Sequence, residues 1–401
     1  MTQTAEQTVP LRRNREFRLL WIGQALSDFG SAMTGLALPL VLFAAGYEPS
    51  AAGLVGTVVL VVGLVARVPA GYLADRYDQR GLMLACDIAR LVAAAVVAFV
   101  VAAGSLPLTL AIGTVIVSGV ALEVFRPSQN KVVRRIVPVD QLGHAVSVNQ
   151  ARMYASSIAA PAAAGFLLAL SPSVPFAVDA VTFGLSALCV AMLSRSPAPA
   201  VVAARERFLP QVLAGWRYLV KDRFLRMSSV LFALLNFTFS ALSYALILGV
   251  ASEPAAVGVA MSSAAVAGLV GSLLVPYATR WLSLRVLLAA GPVISSALLV
   301  VAWSGGGVIP FVAAFSAMCL LTPVIGAVIM TMMAKVVPEE IYGRVTAAGG
   351  FVAQILQPLG PLAAGLLLTQ LTFGATAGVF AIALGALAVL AATLPIHEGR
   401  P

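Results

Sequence analysis

The chain has 401 residues, 60% of them hydrophobic and only 10% charged, with a formal net charge of +9 and a mean hydropathy of +0.99. A soluble domain typically carries about 25% charged residues, so 16 acids and 25 bases are too few to clothe so apolar a core in water. Composition therefore excludes an ordinary soluble protein and makes lipid the solvent.

The first eighteen residues, MTQTAEQTVPLRRNREFR, lack the basic–apolar–small order of a cleaved signal and are read as retained. Apolar segments then run 19–44, 51–73, 82–104, 108–126, 148–170 and 174–194, followed by 227–250, 256–278, 286–303, 308–333, 345–369 and 374–394. They predict an all-α membrane protein of twelve spans. Gly and Pro inside the segments are compatible with helices that pack against one another in lipid.

Within the first span, WIGQALSDFGSAMTG places Asp28 at membrane depth. A lone acid there must be paired, hydrated or protonated, which makes it a candidate functional residue. A proton and a cationic substrate competing for that carboxylate would couple their movements. Between spans two and three lies GYLADRYDQR, with Asp75, Arg76 and Arg80 following Gly71. Asp75 is suited to accept hydrogen bonds from the amides at a neighbouring helix start. Arg67, one turn earlier, is read as reaching cytoplasmic headgroups.

Span three offers Asp87 and Arg90, and span four Glu123 and Arg126. Each pair is three residues apart, near one helix face, and is expected towards the cytoplasmic end as a local ion pair. Arg126 is an alternative partner for Asp75. Asn149, Gln150 and Arg152 open span five, where Arg152 is expected to neutralise Glu123 or Asp87. Asp179, in span six, is expected to meet water at the outer face. In span seven Asn236, Ser240, Ser243 and Tyr244, with Phe237 and Phe239 nearby, suggest a cavity wall. Gln354 and Gln357 in span eleven suggest another, since transport pockets combine apolar walls with sparse polar anchors.

Charge orients the chain. With twelve spans and both ends on one side, the same-side connections hold twenty-one of the 25 bases, and the opposite connections hold none; Arg67, Arg90, Arg126 and Arg152 lie within or near spans. That segregation predicts cytoplasmic termini in the inner (plasma) membrane. The basic excess then meets anionic lipid rather than nucleic acid. Cys86, Cys189 and Cys319 are isolated in apolar segments, and His144 and His397 complete no metal set. No phosphate-binding glycine loop or catalytic triad is visible, so no cofactor or enzyme chemistry is expected.

The chain also repeats itself. APAAAGFLLA at 160–169 is echoed by GPLAAGLLLT at 360–369, VPVDQLGH at 137–144 by VPEEIYGR at 337–344, and Gly71 and Arg80 by Gly271 and Arg280, all at an offset of 200 residues. Two six-helix bundles follow, 1–195 and 222–401, joined by a cytoplasmic linker, 196–221, in which PQVLAGWRYLVKDRFLR suggests a surface amphipathic helix. Such parallel repeats suit a transporter that exposes one site alternately to each face.

On these motifs the chain resembles the major facilitator superfamily, in particular its bacterial twelve-helix drug and siderophore exporters. Gly71, Asp75, Arg76 and Arg80 match the family's loop motif. Pro161 and Gly165 resemble its antiporter motif, although Ala160 and Ala164 stand where glycines are expected; Gly360, Pro361 and Gly365 form the better-kept copy. The resemblance implies a pseudo-symmetric fold and a cytoplasmic gate in which Asp75 meets the start of helix eleven, near Gly343–Val345. It also implies a coupling role for an acid on helix four, here Glu123. The expected function is export of a small amphiphile by proton antiport, by a monomer in contact with membrane lipids. Nutrient import and a non-transporting receptor or scaffold are the alternatives.

Overall fold

The structure, a computed structural model, describes residues 10–194, 208–281 and 284–393, and all regular structure among them is helical. The helices are α1 (Arg15–Ala44), α2 (Pro49–Arg76), α3 (Gln79–Ala102), α4 (Leu108–Ile136), α5 (Leu142–Leu170), α6 (Val174–Ala191) and α7 (Phe208–Lys221). They continue as α8 (Arg223–Gly249), α9 (Pro254–Trp281), α10 (Leu284–Val301), α11 (Val308–Val336), α12 (Glu339–Ile355), α13 (Leu359–Gln370) and α14 (Phe373–Ala392). Twelve segments are long and apolar enough to cross a membrane, α12 and α13 together supplying one.

Side chains at the helix ends explain where several of them start. The Asn14 side chain accepts the Phe17 N–H at 3.1 Å and donates to the Ile136 carbonyl at 2.7 Å, capping the start of α1 and the end of α4 together. Asp78, Asp222 and Thr372 accept the N–H groups of Gly81, Leu225 and Ala375. Each satisfies a donor that a helix start leaves without an intrahelical partner.

The sequence repeat is a structural repeat. Leu108–Ile136 and Val308–Val336 coincide at the offset of 200 residues. Both end on a valine whose N–H returns to the carbonyl four residues back, Val137 to Val133 and Val337 to Met333. Pro138 and Pro338 follow with φ of −57° and −55°, so the ring turns both chains out of the helix in the same way.

The copies part company later. α5 runs unbroken past Pro161, but the segment expected as one helix over 345–369 is interrupted at Leu356–Pro358. Proline cannot donate a hydrogen bond, and the chain crosses the break by tighter turns: Gln357 N–H to Gln354 O, Leu359 N–H to Leu356 O and Gly360 N–H to Gln357 O. α12 also starts at Glu339, ahead of the expected Gly343–Val345. The linker helix is not simply a surface element: the Gly215 Cα comes so close to the Arg344 backbone that a Cβ would collide with it, and Trp216 meets Phe351 edge-on at 6.1 Å. Linker residues 195–207 lie outside the described residues.

The chain forms two compact units. One holds the chain up to Val41 and from Val58 to the linker; the other holds Leu42–Thr57 and everything from α7 onward. The first packs Phe17, Leu20, Met83, Val124, Phe125 and Val190 into its core. The second buries Leu225, Leu231, Leu242, Leu288, Phe311 and Phe315.

Candidate functional site

In the first unit, GYLADRYDQR is a bracket between helices. Asp75 ion-pairs with Lys131 of α4, which also donates to the Ala74 carbonyl at 2.8 Å; the alternative partner, Arg126, is engaged elsewhere. Arg76 lies over the Tyr72 ring at 4.6 Å. Arg80 donates to the carbonyls of Val190 and Ala191 at the end of α6, where a helix runs short of intrahelical donors. A Cβ added at Gly71 would meet nothing within 4 Å.

Deeper in the same unit, three helices bring buried polar groups together. On α1, Gln24, Ser27, Asp28, Ser31 and Thr34 follow helical 3/4 spacing; on α6, Asp179, Thr182, Phe183 and Ser186 do the same. Small residues let these helices close. A Cβ at Gly30 would collide with Thr182 Oγ1 and Asp179 Oδ1, and one at Gly23 would lie 3.1 Å from Cys189 Cβ. Thr34 donates to Asp179 Oδ2 at 2.6 Å and Thr182 to Asp179 Oδ1 at 3.4 Å. Asp179 is therefore buried, contrary to the expected outer exposure.

Arg90, midway along α3, reaches α1 instead of pairing with Asp87. Its guanidinium donates to Ser31 Oγ at 2.6 Å and Ser27 Oγ at 3.4 Å and stacks on Phe183 at 4.0 Å. Asp87, wholly buried, accepts from Ser186 at 2.7 Å. Arg152 of α5 meets neither Glu123 nor Asp87; its Nε lies 3.1 Å from Asp28 Oδ2. Among the described residues no hydrogen-bond partner is found for Gln24 Nε2, Asp87 Oδ1, Arg90 Nε or Arg152 Nη1.

Glu123 also sits in mid-helix, because α4 continues ten residues past the expected end at 126. It is held by Arg67 at 3.4 Å and Arg126 at 3.5 Å. Arg67 thus turns to an acid as well as to the surface.

The second unit holds a different kind of space. A cavity of about 130 Å³ is walled by Phe232, Leu235, Phe239, Met318, Leu321 and Ile325, with Asn236, Thr322 and Gln357 supplying polar atoms. Asn236 gives its amide hydrogens to Phe232 O at 3.0 Å and Ala353 O at 3.1 Å; two carbonyl partners fix the amide orientation and leave Oδ1 as the acceptor. Of the expected cavity residues, Asn236 and Gln357 line this space. Ser240, Tyr244 and Gln354 do not: Ser240 packs at Gly360, Tyr244 packs on Gly56, and the Gln354 carbonyl accepts at the break.

The motif copies also differ in their packing. Pro161 lies inside α5 with Gly165 buried. Gly360 approaches Phe237 O at 2.7 Å, and Gly365 approaches Pro49 O at 2.5 Å, measured from the Cβ each lacks. Pro361 places its own carbonyl against Gly53, and Leu362 N–H donates to Thr57 Oγ1 at 3.2 Å.

A repeated helical unit, twelve apolar spans and a buried polar cluster define a multi-pass membrane protein. The model of the Major Facilitator Superfamily matches residues 20–355, and the chain belongs to that family. It is therefore a transporter of small molecules by family rather than an enzyme. It is similar to Macrolide efflux protein A of Streptococcus pyogenes, 25% identical over 183 residues, or 44% of either chain; less than half of that relative is thus spanned. Its fold matches the nucleoside transporter NupG with a TM-score of 0.75 at 12% identity, covering 96% of this chain and 100% of that one. It also matches a POT family transporter in complex with 5-aminolevulinic acid, with a TM-score of 0.70 at 10% identity and 96% of each chain covered.

Proposed function

We propose that the chain exports small amphiphilic compounds in exchange for protons, by alternating access. The observation that carries this reading is Asp28, a carboxylate at membrane depth whose cation, Arg152, keeps a second nitrogen without an acceptor. A charge pair buried so incompletely contributes little to stability and is suited to exchange partners. A substrate cation takes the place of Arg152 at Asp28, and a proton discharges it. Glu123, already gripped by Arg67 and Arg126, balances charge and is the weaker candidate for carrying the proton. The cavity with Asn236 and Gln357 favours an apolar body bearing a hydrogen-bond donor. Similarity to a macrolide efflux protein supports the outward direction and makes a macrolide the first cargo to try.

The loop with Gly71, Asp75, Arg76 and Arg80 serves as the cytoplasmic gate in this reading, Asp75 exchanging Lys131 for the amides at a helix start. The basic residues that flank the spans support cytoplasmic termini in the inner membrane. The test is transport by a reconstituted monomer in vesicles loaded with macrolide. Export predicts loss of cargo from the cytoplasmic-equivalent face, quickened by an opposing proton gradient and abolished when the gradient is collapsed. Accumulation in the opposite direction would establish import; no flux with any amphiphile would favour a receptor.

A further inference from the structure

We propose that Asp87 is a second proton-binding site in the first unit, and that its charge state decides whether Arg90 holds α1. Its use in transport rests on the antiport reading above; its existence does not.

The cluster holds three acids, Asp28, Asp87 and Asp179, against two bases, Arg90 and Arg152. Fully ionised, the five sum to −1; one proton brings them to zero. Asp28 has Arg152 as its ion partner at 3.1 Å, and Asp179 has the hydroxyls of Thr34 and Thr182 on its two oxygens. Asp87 alone of the three combines complete burial, no ion pair and one oxygen without a partner among the described residues. An isolated charge left so in a low-dielectric interior costs far more than a neutral hydroxyl does, so the proton belongs on Asp87.

Cys86 and Arg90 on α3 itself and Cys189 on α6 act electrostatically on Asp87. Of the other charged groups, Asp179 of α6 and Asp28 of α1 act on Arg90, Arg152 of α5 pairs with Asp28, and Glu123 of α4 is engaged by Arg67 and Arg126. Arg90 is the cation that acts on Asp87. It stands three residues along α3, on the same face, and its two terminal nitrogens are spent on Ser27 and Ser31 of α1. With Asp87 neutral, the guanidinium stays on those serines and on Phe183, tying α1 to α3. When Asp87 loses its proton, the new carboxylate competes for Arg90 through a charge-assisted bond, which a serine hydroxyl cannot match. The guanidinium then swings along α3 and α1 is released. Because α1 carries Asp28, a proton leaving Asp87 is transmitted to the substrate site one helix away.

Infrared difference spectroscopy tests this on the full chain in lipid nanodiscs, titrated from acid to alkaline pH without substrate. The expected result is a protonated-carboxyl band that disappears with alkalinity, is absent from D87N and persists in D28N. Persistence of the unchanged band in D87N, or its absence from wild type, overturns the site. Asparagine is the same size and accepts from Ser186, so the variant is expected to fold. Should it fail to, S186A reports instead, because removing the hydroxyl on Asp87 must shift the band's frequency, and an unshifted band contradicts the assignment. Hydrogen exchange of the α1 amides, corrected for intrinsic base catalysis, tests the hand-over: protection should fall as pH rises in wild type and stay level in D87N, and level protection in wild type is evidence against it. Since no cargo is present, a negative result here leaves the export reading standing, and failure of export leaves this site standing.

Discussion

The two compact units share a repeat, yet their interiors obey different rules. The first buries Asp87, Arg90, Glu123, Arg152 and Asp179; the second, among its described residues, buries hydroxyls and no charged side chain. Most of those hydroxyls are answered by backbone carbonyls: Ser228 by Leu225 O at 3.1 Å, Thr238 by Leu234 O at 2.8 Å and Ser295 by Ala314 O at 2.8 Å, while Thr376 Oγ1 has no partner among the described residues. A helix can satisfy a serine or threonine almost anywhere along its length, whereas a guanidinium or carboxylate in lipid needs partners from other helices. The charged unit has accordingly linked α1, α3, α5 and α6 by side chains, and has left some of those side chains incompletely paired. The neutral unit has instead opened a cavity and broken a helix beside it. Duplication supplied the scaffold; the division of labour lies in what each copy buries.

The sharpest break of this contrast is to remove one charge from the first unit. R152M leaves Asp28 without its cation and should lower stability by about 3–5 kcal/mol, read as thermal unfolding in detergent. D28N/R152M should recover most of that loss; if the double variant is as weak as the single, the loss does not come from an uncompensated charge on Asp28. The corresponding neutral change, N236A, should cost only about 1 kcal/mol.

A second comparison uses the repeated glycines. Gly271 of α9 packs so tightly on the Leu320 carbonyl of α11 that a Cβ would collide with it, whereas its repeat partner Gly71 faces no such contact. G271A is expected to cost roughly 1–3 kcal/mol, and G71A about 0.5 kcal/mol or less. Equal losses would show that the copies pack alike. Next, P358A restores a hydrogen-bond donor at the break. It should slow amide exchange at 357–360 while changing stability by about 1 kcal/mol or less, and unaltered exchange would place the cause of the break elsewhere. Smallest of all is the exposed Asp75–Lys131 pair. K131A should cost under about 1 kcal/mol in low salt and nothing in high salt.

Much of the architecture was legible because apolar length and the positions of arginine and lysine survive in one dimension. The twelve spans, the repeat and the family follow from them. Partner choice was not legible. Asp28 and Arg152 lie on different helices, and only the rotation of α1 against α5 brings them together. Ending span four at the first arginine placed Glu123 near a membrane face, when α4 in fact carries it to mid-helix. One signal was available: Gln24, Ser27, Asp28, Ser31 and Thr34 recur at helical spacing, and that stripe marks the face of α1 that α3 and α6 engage. Arg80 was visible as a motif residue, but its partners are the backbone carbonyls at the end of α6, which no side-chain pattern announces.

The central claim is that proton coupling resides in the charged unit and the fit of the cargo's apolar body in the neutral one. Macrolide flux in proteoliposomes, measured with and without a proton gradient, decides it. D28N should lose the acceleration by the gradient and bind a cationic cargo more weakly, and N236A should change the KM for cargo while keeping that acceleration. If D28N still responds to the gradient, or N236A does not, the division of labour between the two units is contradicted.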